Sequence, residues 1–295
     1  MHFHIIFIFF LIIQLKQNVC AQPKENWLLY YELINRAEFL HIKKEFTKAD
    51  SVYQLAFKTV QKPFKEDYYL AAKNIIITQN YSCATDYLEK AIAKGLKIDR
   101  INSDNYFKKY KQTIRMKSLK HSIKLNNRIN FNLSDGDLDY KIDNMVKKDQ
   151  QIRGWKGLFY SSKRKKEIDQ AHFNTLYEIC LQSGWPGISK IGEDTPKGKY
   201  DVTGNITLLL LHFSNKEIQM LEPFMLNAVR HGEMYPYHYA RVMDYKRIPK
   251  NGKQWYGTYF RNQSLIAIED PDNVDKRRKA IGLEPIQEYI LKRKQ

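Results

Sequence analysis

The sequence predicts a mainly α protein: N-terminal helical hairpins, then a mostly helical domain with a small β-hairpin. Three observations lead there. Between residues 30 and 98, two segments share one spacing of small and aromatic side chains. Beyond residue 138, apolar residues recur at helical spacing in stretches that stop at Gly184, Gly232 and Gly282. Only the aromatic run Gln254 to Phe260, facing Leu265 to Ile268 across a short turn, reads as paired strands.

In chain order, the first element is an apolar run from Ile5 to Ile13, too short to span a bilayer as a helix. It ends near Val19-Cys20-Ala21, small residues that suit signal peptidase, so residues 1–21 read as an export signal. The expected location is periplasmic or secreted. Lipidation of Cys20, giving an outer-membrane lipoprotein, is the alternative. The repeated spacing follows: Ala37, Leu40, Phe46, Ala49, Tyr53, Ala56, then Ala72, Ile75, Tyr81, Ala84, Leu88, Ala91. Small residues let two antiparallel helices approach closely while the larger ones fill the groove between hairpins. This pattern resembles a pair of tetratricopeptide-type hairpins, expected over residues 22–125 and capped by a helix or two between Ile101 and Lys124. The resemblance implies a concave surface for a protein or peptide partner. Asparagines and Asp135-Gly136-Asp137 mark a linker at 126–138.

The second domain, 139–290, begins with a helix carrying Asp149 and Arg153, then one from about Lys166 to Gln182. Trp185-Pro186-Gly187 makes a turn, and Leu208 to Phe213 reads as an apolar helix or strand containing His212. Helices are expected from Lys216 to His231 and, shorter, from Tyr237 to Tyr245. After the hairpin, Asp270-Pro271-Asp272 restarts a helix through Arg278, Gly282 to Pro285 turns into a last one, and 291–295 forms a basic tail.

Six elements in this order resemble a bacterial family catalogued as a domain of unknown function, family 6624. They are Asp149 with Gln150 or Gln151 and Arg153; Gly184-Trp185-Pro186-Gly187; His212; Ala240 with Asp244; Gly252, Gln254, Tyr256, Gly257 and Thr258; and Asp270, Val274, Asp275, Arg277, Arg278, Gly282 and Leu283. Tyr245 and Tyr259 stand where the family carries arginine and glutamine. The resemblance implies no reaction, because the family has none assigned.

Lys+Arg number 49 against Asp+Glu 32, a formal charge of +17. Residues 101–166 hold 17 of the basic and 6 of the acidic residues, so +11 sits in that stretch. In an exported chain this reads as a solvated face that leans on an acidic surface or membrane periphery, and the lack of an aromatic stacking module argues against nucleic acid. Three cysteines exclude a disulfide scaffold, and no metal-ligand spacing, phosphate loop or dinucleotide fingerprint is present, so no metal or cofactor is expected.

The candidate catalytic residues are His212 as base, with Asp244 and Tyr256 as its partners if the short helix and hairpin fold over it. The candidate binding residues are Asp149, Arg153, Trp185, Gln254 and Thr258. Two functional expectations follow: an exported binding or scaffold protein, or a hydrolase or transferase centred on His212. The oligomeric state is left open.

Overall fold

The computed structural model describes residues 25–108, 136–154, 159–193 and 206–294. The export signal, Cys20 and most of the 126–138 linker lie outside the described residues, as does the capping segment beyond Lys108. The fold is mainly helical, with one small antiparallel hairpin.

Helix α1 (Trp27–Ile42) starts where Asn26 Oδ1 accepts from Leu29 N at 3.0 Å, an N-cap that satisfies an otherwise unpaired amide. It forms an antiparallel hairpin with α2 (Phe46–Ala56), and α3 (Lys65–Ile75) pairs likewise with α4 (Tyr81–Ala93). Ala37, Ala49, Ala56, Ala72, Ala84 and Ala91 are all at 0% exposure. The close approach their size permits is therefore realised in both hairpins. Short helices α5 (Ile98–Ser103) and α6 (Asn105–Lys108) follow, with Ile101 and Phe107 buried.

The second half opens with α7 (Gly136–Arg153) and α8 (Ser162–Ser183), the latter capped by Ser161 and so begun four residues before Lys166. Then come α9 (Ile188–Ile191), α10 (Ile206–Leu210) and α11 (Asn215–Arg230). A capping box between Ser214 and Glu217 starts α11. Helix α12 (Pro236–Asn251) runs six residues past Tyr245, with Pro249 in its last turn, and ends at Gly252, left-handed at φ 71°. The strands are shorter than expected: β1 (Phe260–Arg261) pairs with β2 (Ser264–Leu265), and Gln254 bridges Ile268 separately. Helices α13 (Val274–Ala280) and α14 (Ile286–Arg293) close the chain.

The basic tail is not a free tail up to Arg293, for α14 includes it. Lys292 is buried, its Nζ 2.7 Å from Glu38 of α1 and 3.1 Å from Glu284. Burial works against the Glu284 charge, but Lys292 and Arg278 outweigh it and hold the carboxyl below its usual range. The hairpins and the C-terminal half therefore share one core. Tyr31 donates to Val229 O at 2.8 Å, Asn35 to Gly282 O at 3.0 Å, and Phe64 packs on Tyr235 with centroids 4.3 Å apart. Glycine is required at Gly232: φ is +72° and a Cβ there would lie 2.2 Å from the Trp27 ring.

Candidate functional site

The eight residues singled out from the sequence fall into three groups. The first forms around Asp149, one turn before Arg153 on the same face of α7. Asp149 is fully buried; its Oδ1 accepts from Arg153 Nε at 2.8 Å and its Oδ2 from Gln150 Nε2 at 3.0 Å. Arg153 Nη2 reaches on to Asp169 of α8. His212 follows α10, and the donation of its amide to Leu209 O at 2.9 Å sets the turn. The imidazole Nε2 sits 3.8 Å from Asp149 Oδ2, too far for a hydrogen bond. Lys246 of α12 donates to the carbonyls on either side of His212, Leu211 O at 2.7 Å and Phe213 O. His172, buried on α8 one turn from Asp169, leaves its Nδ1 without a partner.

Burial, joined by Arg153 and Lys246, pulls the His212 imidazole down to about 4. It is neutral at pH 7, with 27% of its side chain exposed. Burial also pushes Asp149 up against the opposing pull of Arg153, and lowers His172 against the pull of Asp149. Lys246 is brought down to about 8 by burial, while Glu217 and Asp169 resist the shift, so it stays mostly charged at pH 7. Three helices and the turn after α10 thus contribute to one cluster of two carboxylates, two cations and two neutral imidazoles. The arrangement can hold a polar ligand, or accept a proton on His212.

The second group is a folding device around Asp244. This carboxylate is at 0% exposure and takes four donors: Trp255 N at 2.6 Å and Tyr256 N at 2.7 Å on Oδ1, Thr258 N at 2.9 Å and Thr258 Oγ1 at 2.7 Å on Oδ2. Gln254 is equally satisfied. Its amide nitrogen donates to Tyr259 O at 3.0 Å and Ile266 O at 2.7 Å, and its oxygen accepts from Tyr259 N at 2.8 Å. These two side chains shape the loop that carries Tyr256 and Thr258. Among the described residues, no hydrogen bond or ion pair joins His212 to Asp244 or Tyr256. Tyr256 is instead buried with its ring against Tyr239, centroids 6.0 Å apart.

Trp185 stands in the third place. It lines a small cavity of about 30 Å³ with Ile206, Thr207, Tyr235 and His238, room on the scale of a water molecule. A Cβ on Gly187 would come within 2.6 Å of Glu233 O, so the turn after Trp185 needs glycine for close approach.

Sequence reasoning missed Asp169, His172 and Lys246. The first two were findable as an i, i+3 pair on an expected helix. Among the described residues, no group of three or more His, Cys, Asp or Glu side chains is placed to hold a metal, and no helix is long and apolar enough to cross a membrane. No protein-family model, curated protein or solved structure matches the chain.

Proposed function

We propose that this is an exported binding protein, with tetratricopeptide-like hairpins buttressing a C-terminal domain of the type of family 6624, and with its ligand site at the His212 cluster. One observation carries the reading. His212 is a partly exposed imidazole with no side-chain hydrogen bond among the described residues, set beside a fully buried, paired carboxylate. Structural ion pairs gain nothing from an unpaired histidine at their mouth, whereas ligand sites hold polar groups that are completed only on binding.

A protein or peptide partner for the hairpins is part of the same proposal. An open groove of about 1120 Å³ runs between α1 and the α13–α14 end, with Leu28, Leu29 and Phe39 among its lining. The basic stretch at 101–166 favours acidic surfaces or a membrane periphery over nucleic acid.

The hydrolase or transferase reading has one observation in its favour: His212 is unprotonated at neutral pH and adjoins a carboxylate that could orient it. In that case Asp149, rather than Asp244, is the orienting group.

The test is chemical-shift mapping with a panel of small polar probes, charged and neutral. The proposal expects perturbations centred on Asp149, Arg153, His172, His212 and Lys246. Perturbations confined to other surfaces, or a saturating panel that moves none of these residues, would overturn it.

A further inference from the structure

We propose that the His212 site takes an oxyanion, a phosphate or carboxylate group of a small ligand, held by Arg153, Lys246 and His212. This rests on the reading of the cluster as a ligand site and names its ligand class.

The donors are fixed and incompletely used. Lys246 gives two of its three N–H groups to the Leu211 and Phe213 carbonyls, which anchors the ammonium beside His212. Arg153 spends Nε on Asp149 and Nη2 on Asp169, and its Nη1 has no partner among the described residues. A guanidinium held on one edge by carboxylates presents its other edge as a planar donor to an oxyanion.

One carboxylate, Asp149, lies behind the cations. Asp149 is at 0% exposure while Arg153 and His212 keep 23% and 27% of their side chains accessible. Asp169, at 18%, is nearly as accessible as Arg153, so a ligand meets these donors beside one carboxylate. Glu217 and Asp169, facing Lys246 from α11 and α8, favour its charged form. At the imidazole itself, burial and then Arg153 and Lys246 oppose protonation, with a carboxylate at 3.8 Å.

The surrounding surface is also basic. Lys148 is exposed next to Asp149 on α7, and Lys163 and Lys166 are exposed on the first turns of α8, ahead of Asp169, while Lys147 pairs with Asp143 at 3.5 Å and Arg164 with Glu167 at 2.9 Å. Part of the +11 stretch thus lies on the two helices that carry Asp149, Arg153, Asp169 and His172, where such charge raises the local concentration of anions. His172, more than nine-tenths buried with an unpaired Nδ1, adds an unsatisfied group within electrostatic reach of Asp149 and Arg153.

The experiment is an imidazole ¹H–¹⁵N titration of the chain with inorganic phosphate and, separately, acetate, each against sodium chloride at matched ionic strength and against glycerol. Phosphate or acetate should shift the His212 ring saturably and raise its titration midpoint from about 4, since a bound anion stabilises the imidazolium. Whichever of the two anions binds more tightly names the source. Lys246→Met, which keeps the stem, should weaken the anion about tenfold, the worth of one charge-assisted hydrogen bond. Arg153→Lys is the companion variant, with a similar loss expected. Shifts equalled by chloride, or binding untouched by both variants, would overturn the proposal. If glycerol moves the cluster and neither anion does, the oxyanion assignment fails while the ligand site stands; if no probe moves it, both fail.

Discussion

Asp244→Ala provides the sharpest test of the division between folding and ligand-binding residues. The substitution removes one acceptor carboxylate and leaves three backbone amides and a threonine hydroxyl without their partner, all four within 2.6 to 2.9 Å in the native state. Each buried donor left unpaired costs about 1 to 3 kcal/mol, so four would cost ~4 kcal/mol even at the low end. Local movement that admits water reduces this, and a loss of about 3 kcal/mol is the expected floor. Asp244→Asn should be milder, because one oxygen still accepts while the new amide nitrogen meets two donors. Urea denaturation followed by tyrosine and tryptophan fluorescence reads the change directly, with Trp255 and Tyr256 in the affected loop. A loss below about 1 kcal/mol for Asp244→Ala would refute the reasoning, since water would then be replacing the carboxylate at no cost.

Other predictions follow from the same geometry. Gly232→Ala should cost about 2 to 5 kcal/mol in denaturant melts, from a left-handed backbone and a Cβ driven into the rigid Trp27 ring. His212 and His238, both lowered to about 4, bind protons more readily unfolded than folded. Their contribution is complete above pH 6.5 and lost as pH falls toward 4, so His212→Ala should flatten that acid limb in melts run from pH 4 to 7. Glu193, buried against Lys65 N at 2.8 Å and raised to about 7 by burial, behaves in the opposite sense. The folded state prefers it protonated, so stability is lost as pH rises from 4.5 through 7. Glu193→Gln should therefore compare better with the wild type at pH 8 than at pH 5, by up to about 3 kcal/mol.

The hairpins were legible because their determinant is local: an alanine at each crossing is written in the spacing, and burial at 0% follows from it. Asp244, Gln254 and Thr258 were also picked out, but for another role. Their bonds run 5 to 14 residues along the chain, and only the path of the loop shows that the carboxylate turns inward to backbone amides. The polar cluster was half legible. Asp149, Arg153 and His212 carried a motif signal, whereas Lys246 joins them because α12 continues beyond Tyr245, which an expected stop at that residue concealed. Lys292 was read as part of a basic tail; its pairing with Glu38 crosses 254 positions and has no local signature. Long-range ion pairs of this kind depend on which surfaces meet, and periodicity does not encode that.

The central claim is that His212 belongs to a ligand site and not to the core. The unfolding free energy of His212→Ala tests it most directly. With no side-chain hydrogen bond to lose among the described residues and a quarter of the side chain already in water, the variant should stay within about 1 kcal/mol of wild type at pH 7. A loss of about 3 kcal/mol or more, matching Asp244→Ala, would make His212 a structural histidine and contradict the account.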